Sequence, residues 1–473
     1  MVHDASTFEL GRPLLLRGGT VLPMDTPNRI LEHSDVLVLG NRIAEVGPDL
    51  KAPDDALIID ASNGIVIPGL IDTHRHMWQT ALRGYGADWT LSQYFVWFFL
   101  DHGHLFRPED IHASTVLAAL EALDAGVTTT VDWSHGLRTL DHAAAAVDAL
   151  TSVPGRYVLA YGNLHQQPGQ WGADPALRRF LEERVPRNGM LDLQFAIDIT
   201  GDPALPERAA FELARDLGAA VTTHAGVWGT ARDGCIDVMA AEGFMTPGNI
   251  YVHGSSLSDE SYRRIADTGG SLSISAESEQ HAGQGYPPTH AARTFGLPVS
   301  LSMDTSVWWS ADLFSAMRAT LGADRAMEHL KAHARDETVV HTSLRAHDVL
   351  AFATQGGARA LGRQSDLGSI EVGKKADIVL IKNDRSPVSF PILHPHGHVV
   401  LQAQRGDVHT VVVDGRVVKY QHELVGADLA SVRAAVERTV GHLRESVGEA
   451  EWKKGMDMPV PESKALENNF KAT

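Results

Sequence analysis

The chain has 473 residues, 44% hydrophobic and 21% charged, a balance that excludes a disordered or fibrous protein and allows a large core with a smaller module beside it. A formal net charge of −18 excludes nucleic acid and anionic membrane as expected partners, because phosphate binding needs basic patches and none is visible. One cysteine, Cys235, excludes an internal disulfide framework and a cysteine-rich zinc site, so any bound metal needs His, Asp or Glu ligands.

Near the start, the run Leu14-Leu15-Leu16 is too short for the apolar core of a signal peptide, and no stretch reaches the length of a membrane span. With the single cysteine, this gives a cytoplasmic expectation. Residues 13–67 alternate short β-rich runs ("LLLRGGTVL", "SDVLVLGNRIAEVG", "LIIDASNGIVIPG") with Gly, Asn and Asp, the texture of a small antiparallel sheet. Similar texture returns in "GSIEVGKKADIVLIK" and "VHTVVVDGRVVKY". The two chain ends are therefore expected to build one small β-domain together.

Between them lie eight apolar runs separated by helix-like stretches: "GIVIPGLIDTHRH", "VTTTVDWSH", "RYVLAYGNLH", "LDLQFAIDIT", "AAVTTHAG", "NIYVHGSS", "GSLSISAESE" and "PVSLSMDT". Short buried strands alternating with helices predict a parallel sheet, and eight of them over residues 64–305 fit a (β/α)8 barrel of about 250 residues. The expected fold is α/β: a TIM-type barrel at 68–367, a composite β-sandwich domain from 1–67 and 368–420, and a C-terminal helix and tail at 421–473. The segment "WTLSQYFVWFFLDHGH" (89–104) reads either as a helix packed on the barrel or as a substrate lid. "ADLASVRAAVERTVGHLRESV" has helical periodicity, and the last residues read as an exposed or partner-wrapping tail.

Polar residues gather at the ends of these runs. His74 and His76 close the first, and because alternate residues of a strand share a face, both can point one way and grip a metal. His135 ends the second run, His165 follows the third, His224 closes the fifth, His253 the sixth and Asp304 the eighth. Barrel active sites lie at the C-terminal ends of the strands, so these side chains are expected to converge on one mouth.

The segments "PGLIDTHRH", "ALEALDAGVTTTVD", "TTHAG", "YVHGSSLSD", "SLSMDT" and "LGSIEVGKKADIVLI", in this order and spacing, resemble the amidohydrolase superfamily, in the branch of cytosine, guanine and S-adenosylhomocysteine deaminases and triazine hydrolases. The resemblance covers nearly the whole chain. It implies one divalent metal, Zn2+ or alternatively Fe2+, held by His74, His76, His224 and Asp304, with a position left for a water that the metal acidifies. The fourth run ends in Asp198 and Thr200 with no lysine, which argues against a carboxylated-lysine, two-metal site. By the same resemblance His253 sits beside the metal and stabilises developing charge, and Asp304 doubles as ligand and proton shuttle.

The sequence departs from that pattern at Val227, where deaminases of this branch usually carry a glutamate that moves protons to the ring. Glu277 and Glu279 would share a face if the seventh strand continues that far; either then orients substrate or relays protons, against the alternative of a loop carboxylate or helix cap. Gln79 resembles the glutamine with which ring deaminases bind a carbonyl or ring nitrogen, and Arg83 reads as structural. Trp89, Trp133, Trp228, Trp308 and Trp309 follow strand ends, where they would pack or stack a flat substrate. His135 is expected to contact substrate or support the metal ligands.

The sequence thus predicts a metal-dependent hydrolase of C–N bonds that deaminates a small nitrogen heterocycle, with catalytic His253, Asp304 and Glu279 and substrate contacts from Gln79, Trp89, His135 and Glu277. The alternatives are an amide or lactam hydrolase or a triazine-type dehalogenase; a more distant one is a non-catalytic scaffold. A homo-oligomer, dimer or higher, is expected.

Overall fold

The computed structural model describes Phe8 and residues 11–227, 233–310 and 312–460. The chain opens with β1 (Leu14–Val21), β2 (Leu31–Leu39), β3 (Arg42–Gly47), β4 (Leu57–Asp60) and β5 (Ile65–Pro68). It then builds β6 (Leu70–Arg75), β7 (Val127–Ser134), β8 (Arg156–Tyr161), β9 (Leu191–Ala196), β10 (Ala220–Ala225), β11 (Ile250–His253), β12 (Ser271–Ile274) and β13 (Val299–Leu301). Late in the chain come β14 (Ile378–Ile381), β15 (Val408–Val413), β16 (Arg416–Tyr420) and β17 (Glu423–Leu424).

Strands β6 to β13 form one eight-stranded sheet in sequence order, every neighbouring pair parallel. Its two edges meet through a parallel bridge between Arg75 and Asp304, where the Asp304 amide donates to the His74 carbonyl (3.1 Å) and the His76 amide to that of Asp304 (2.7 Å). Closure of the barrel therefore delivers Asp304 beside His74 and His76. Helices follow most barrel strands and bury their apolar faces on it, giving the near-continuous burial along β6, β7 and β8 that a two-sided cover demands.

The other nine strands form a mixed sheet in the order β17-β16-β15-β14-β5-β1-β2-β3, with β4 beside β1. Both chain ends contribute, as their shared texture predicts. The run "GIVIPGLIDTHRH" is not one strand: β5 pairs with β14 in the mixed sheet and β6 with β7 in the barrel. The chain crosses between them at Gly69, where an added Cβ would lie 2.1 Å from Thr128 Oγ1, so only glycine lets the two layers approach this closely.

Past the sheet, the helix Leu429–Val447 predicted from periodicity is present, followed by a short helix, Glu449–Gly455. This C-terminal segment returns to the barrel mouth. Tyr85 Oη donates to the Trp452 carbonyl (2.6 Å), Trp89 Nε1 to that of Gly455 (2.8 Å) and Gln93 Nε2 to that of Met458 (2.9 Å).

Candidate active site

The C-terminal ends of the barrel strands bring five polar side chains to one point. His74 lies within β6 and His76 just after it, His224 within β10, His253 at the end of β11, and Asp304 three residues past β13. His74, His76 and His224 each offer a ligand atom within 4.8 Å of the others, and so do His74, His253 and Asp304. Asp304 Oδ1 is 3.2 Å from His74 Nε2 and 3.3 Å from His76 Nε2. His253 and Asp304 both adopt left-handed backbone conformations (φ 70° and 64°), which non-glycine residues take only where the surroundings enforce it, commonly at functional sites.

The outward nitrogens are fixed by their partners. His76 Nδ1–H donates to the Trp133 carbonyl (3.1 Å) and His224 Nδ1–H to Asp198 Oδ1 (2.7 Å). Each ring therefore turns a lone pair at Nε2 inward. His224 is also stacked on Trp133, ring centroids 4.0 Å apart. Burial holds His74 well below its ordinary pKa, so it is neutral at pH 7. Burial pushes the Asp304 carboxyl up, but the adjoining His74 and His76 outweigh it and hold the group well below the usual carboxylate range. Inward lone pairs beside a carboxylate, with His224 Nε2 only 3.4 Å from His74 Nε2, form a donor set that fits a divalent cation of the zinc or ferrous type.

Two short links hold His253 and Asp304. His253 Nδ1 lies 3.4 Å from Glu279 Oε1, which also accepts the Ser275 amide (2.8 Å). Ser278 Oγ contacts Asp304 Oδ2 and takes the indole N–H of Trp308 (2.8 Å). A cavity of about 180 Å³ opens over the cluster, reaching His76, His224, His253 and Asp304 at one end. Its walls are mostly apolar: Leu91, Tyr94, Phe95, Phe99, Val227 and Trp308. The aromatic segment from residue 89 thus includes both wall and packing residues.

Several predicted substrate contacts lie elsewhere among the described residues. Gln79 is fully buried, its amide donating to Tyr94 Oη (2.6 Å) and accepting from Thr305 Oγ1 (2.9 Å). It supports Tyr94, a cavity residue that sequence reasoning did not single out. Trp89 is buried and tied to the C-terminal segment. His135 packs on His76, ring centroids 4.5 Å apart, but is not part of the cavity wall. Trp228 lies outside the described residues.

The premise behind Glu277 and Glu279 is corrected. Strand β12 stops at Ile274 and a helix, Ala276–His281, takes over, so two residues apart now means about 200° apart. Glu279 turns to His253, while Glu277 turns away to Ser315 Oγ. Asp198, which in the sequence shows only that no lysine ends the fourth run, orients His224 and lines the cavity. The signal for it is a carboxylate just past the end of β9, the strand paired with the one that carries His224.

The profile of the amidohydrolase family matches residues 65–418. The chain belongs to the amidohydrolase family. A 5-methylthioadenosine/S-adenosylhomocysteine deaminase of Symbiobacterium thermophilum is 30% identical over 429 residues, 86% of this amidohydrolase and 93% of the relative. A 5'-deoxyadenosine deaminase of Methanosarcina mazei is 26% identical over 447 residues, 91% and 98% of the two chains. Among solved structures, a zinc-bound adenosine deaminase from Xanthomonas campestris matches with TM-score 0.75 at 23% identity, covering 91% of this chain and 98% of that one. An atrazine chlorohydrolase from Arthrobacter aurescens, complexed with zinc, matches with TM-score 0.76 at 21% identity, covering 91% and 100%. The two structures bear on the fold; the family match and the deaminase relatives bear out the predicted aminohydrolase. No described helix of this amidohydrolase is long and apolar enough to cross a membrane.

Proposed function

We propose that this amidohydrolase deaminates an adenosine-type nucleoside, using one divalent ion, zinc before ferrous iron, held by His74, His76, His224 and Asp304. The observation that carries the reading is the inward convergence of imidazole nitrogens on Asp304 Oδ1 at the floor of an apolar cavity, in a chain whose relatives are named as deaminases of such nucleosides. Bound there, the ion supplies Lewis acidity that brings the pKa of a water towards neutrality. Hydrolysis joins the oxygen of water to the amino-bearing ring carbon and breaks its C–N bond. His253 stabilises the charge that develops during addition, and Asp304 takes the water's proton and returns it to the departing ammonia. Glu279 holds His253 Nδ1, and Trp308 and Phe99 offer flat faces to the base. The reading includes a cytoplasmic homo-oligomer.

Ammonia release tests it, with adenosine, 5'-deoxyadenosine, 5'-methylthioadenosine and S-adenosylhomocysteine, and with His224→Ala as the blank. The expected result is ammonia from at least one nucleoside, lost on chelation and absent from the blank; turnover that survives complete metal removal defeats the proposal. Val227 favours a second reading, since it places an apolar group on the cavity wall where ring deaminases of this branch usually carry a glutamate. In that case the reaction is amide hydrolysis or halide displacement, and a carboxylic acid or chloride appears in place of ammonia.

A further inference from the structure

Asp304 has two carboxylate oxygens with different surroundings. Oδ1 faces His74 and His76, and Oδ2 faces Ser278 Oγ. The direction of this second contact follows from the donor inventory. An indole nitrogen only donates, so the 2.8 Å contact from Trp308 Nε1 occupies a lone pair on Ser278 Oγ. The single hydroxyl hydrogen is then left for the carboxylate, which accepts it at Oδ2. All three side chains are buried, Ser278 completely, so water does not compete for either bond and each is worth more than at a surface.

The chain also has a direction in space. Trp308 is a wall of the cavity and is wedged between the rings of Tyr94 (centroids 5.0 Å apart) and His281 (5.7 Å). Ser278 sits on the helix Ala276–His281, and Asp304 is on the loop after β13 with a left-handed backbone. The bridge to Arg75 fixes the Asp304 backbone but not its χ2, and the Ser278 hydroxyl constrains that rotation. We infer that Trp308 and Ser278 are positioning residues: the indole orients the Ser278 hydroxyl, which holds Asp304 Oδ2 and so keeps Oδ1 turned towards the histidines. The same indole is a surface against which substrate packs, so the wall of the substrate cavity and the orientation of a metal ligand share one side chain. This rests on the metal site proposed above.

The test is zinc affinity, measured by competition with a chromogenic chelator, for wild type, Ser278→Ala, Trp308→Phe and the double variant. Removing a hydrogen-bond partner of a metal ligand typically costs 10- to 100-fold in affinity, so Ser278→Ala is expected to bind zinc about tenfold more weakly. Trp308→Phe keeps the ring and loses the N–H, and is expected to weaken zinc several-fold. In the Ser278→Ala background the Trp308→Phe change should then add nothing, because residues acting through one bond are not additive. Wild-type affinity in Ser278→Ala overturns the inference, as does a Trp308→Phe effect that persists in full without the hydroxyl. If Ser278→Ala does not fold, Trp308→Phe alone reads the chain from its other end, and unchanged zinc affinity there overturns it. A wild-type protein that binds no zinc overturns the metal site itself, and this inference with it.

Discussion

Asp198 Oδ1 accepts the Nδ1–H of His224 at 2.7 Å, joining the ends of β9 and β10 across the cavity mouth. The facing His224 holds the Asp198 carboxyl below its ordinary pKa, so the group stays ionised at neutral pH. Removing it frees the His224 ring to rotate and to take the other tautomer. Asp198→Ala is therefore expected to lose 10- to 100-fold in zinc affinity or turnover, while Asp198→Asn, which keeps an acceptor oxygen, loses less. Equal affinity in Asp198→Ala and wild type, measured by chelator competition, would show that stacking on Trp133 alone orients His224.

The C-terminal segment holds the aromatic wall of the cavity from outside. Trp452 is mostly buried against Tyr85, ring centroids 4.6 Å apart, and the bonds from Trp89, just before the helix Leu91–Phe95, and from Gln93, within it, anchor the segment that carries Leu91, Tyr94 and Phe95 into the cavity. Trp452→Ala is expected to destabilise the protein by about 3 kcal/mol, the lower end for a buried large aromatic, and to raise KM more than it lowers kcat. Urea unfolding together with steady-state kinetics checks both. Unchanged KM with reduced stability would make the segment a brace for the fold alone.

The barrel is legible in the sequence because it rests on a local rule, whereas of the proposed metal ligands only His74 and His76 follow from one, and His224 and Asp304 rest on the family resemblance. His74 and His76 are read from strand alternation, and the eight apolar runs from the demand that parallel strands be buried on both faces. What escaped depended on where a strand ends. The run "SISAESEQ" carries no glycine or proline to mark the change from β12 to helix, so nothing in it tells that Glu277 and Glu279 lie on different faces. Likewise "IVIPGLID" looks like one strand until Gly69 is seen to pass between Thr128 and the mixed sheet. Ser278 carries no sequence signal at all, since its role comes from contacts with Trp308 and Asp304, 30 and 26 residues away in the chain.

Glu279 tests the compensation for Val227. Burial raises its pKa and the hydrogen bond with His253 opposes that, leaving a carboxyl close to the histidine proposed to stabilise the transition state. Glu279→Gln preserves shape and an acceptor oxygen but removes the exchangeable proton and the charge. A group that assists proton movement contributes about 10²-fold or more, so kcat is expected to fall by roughly that factor with KM little changed. Full turnover in the variant removes Glu279 from the mechanism.

Glu277 gives a pH signature separate from catalysis. Its carboxyl is buried beside the helix Leu313–His333, contacting Ser315 Oγ, and burial raises its pKa from the ordinary 4.5 to about 9 although the Ser315 bond opposes this. In the folded protein the group therefore keeps its proton over a range where the unfolded chain has lost it. With more protons bound to the native state, stability falls as pH rises from about 4.5 towards 9 and levels off above that. Each pH unit inside the window removes at most about 1.4 kcal/mol, and movement of the ionised group towards Arg318 lessens the loss. Glu277→Gln has no proton to lose, so it is expected to match wild type near pH 4.5 and to exceed it at pH 8 by at most about 5 kcal/mol, and by less where the ionised group finds Arg318. Urea unfolding of both proteins at the two pH values decides the matter. A stability difference that does not change with pH would mean that Glu277 is already ionised in the native fold.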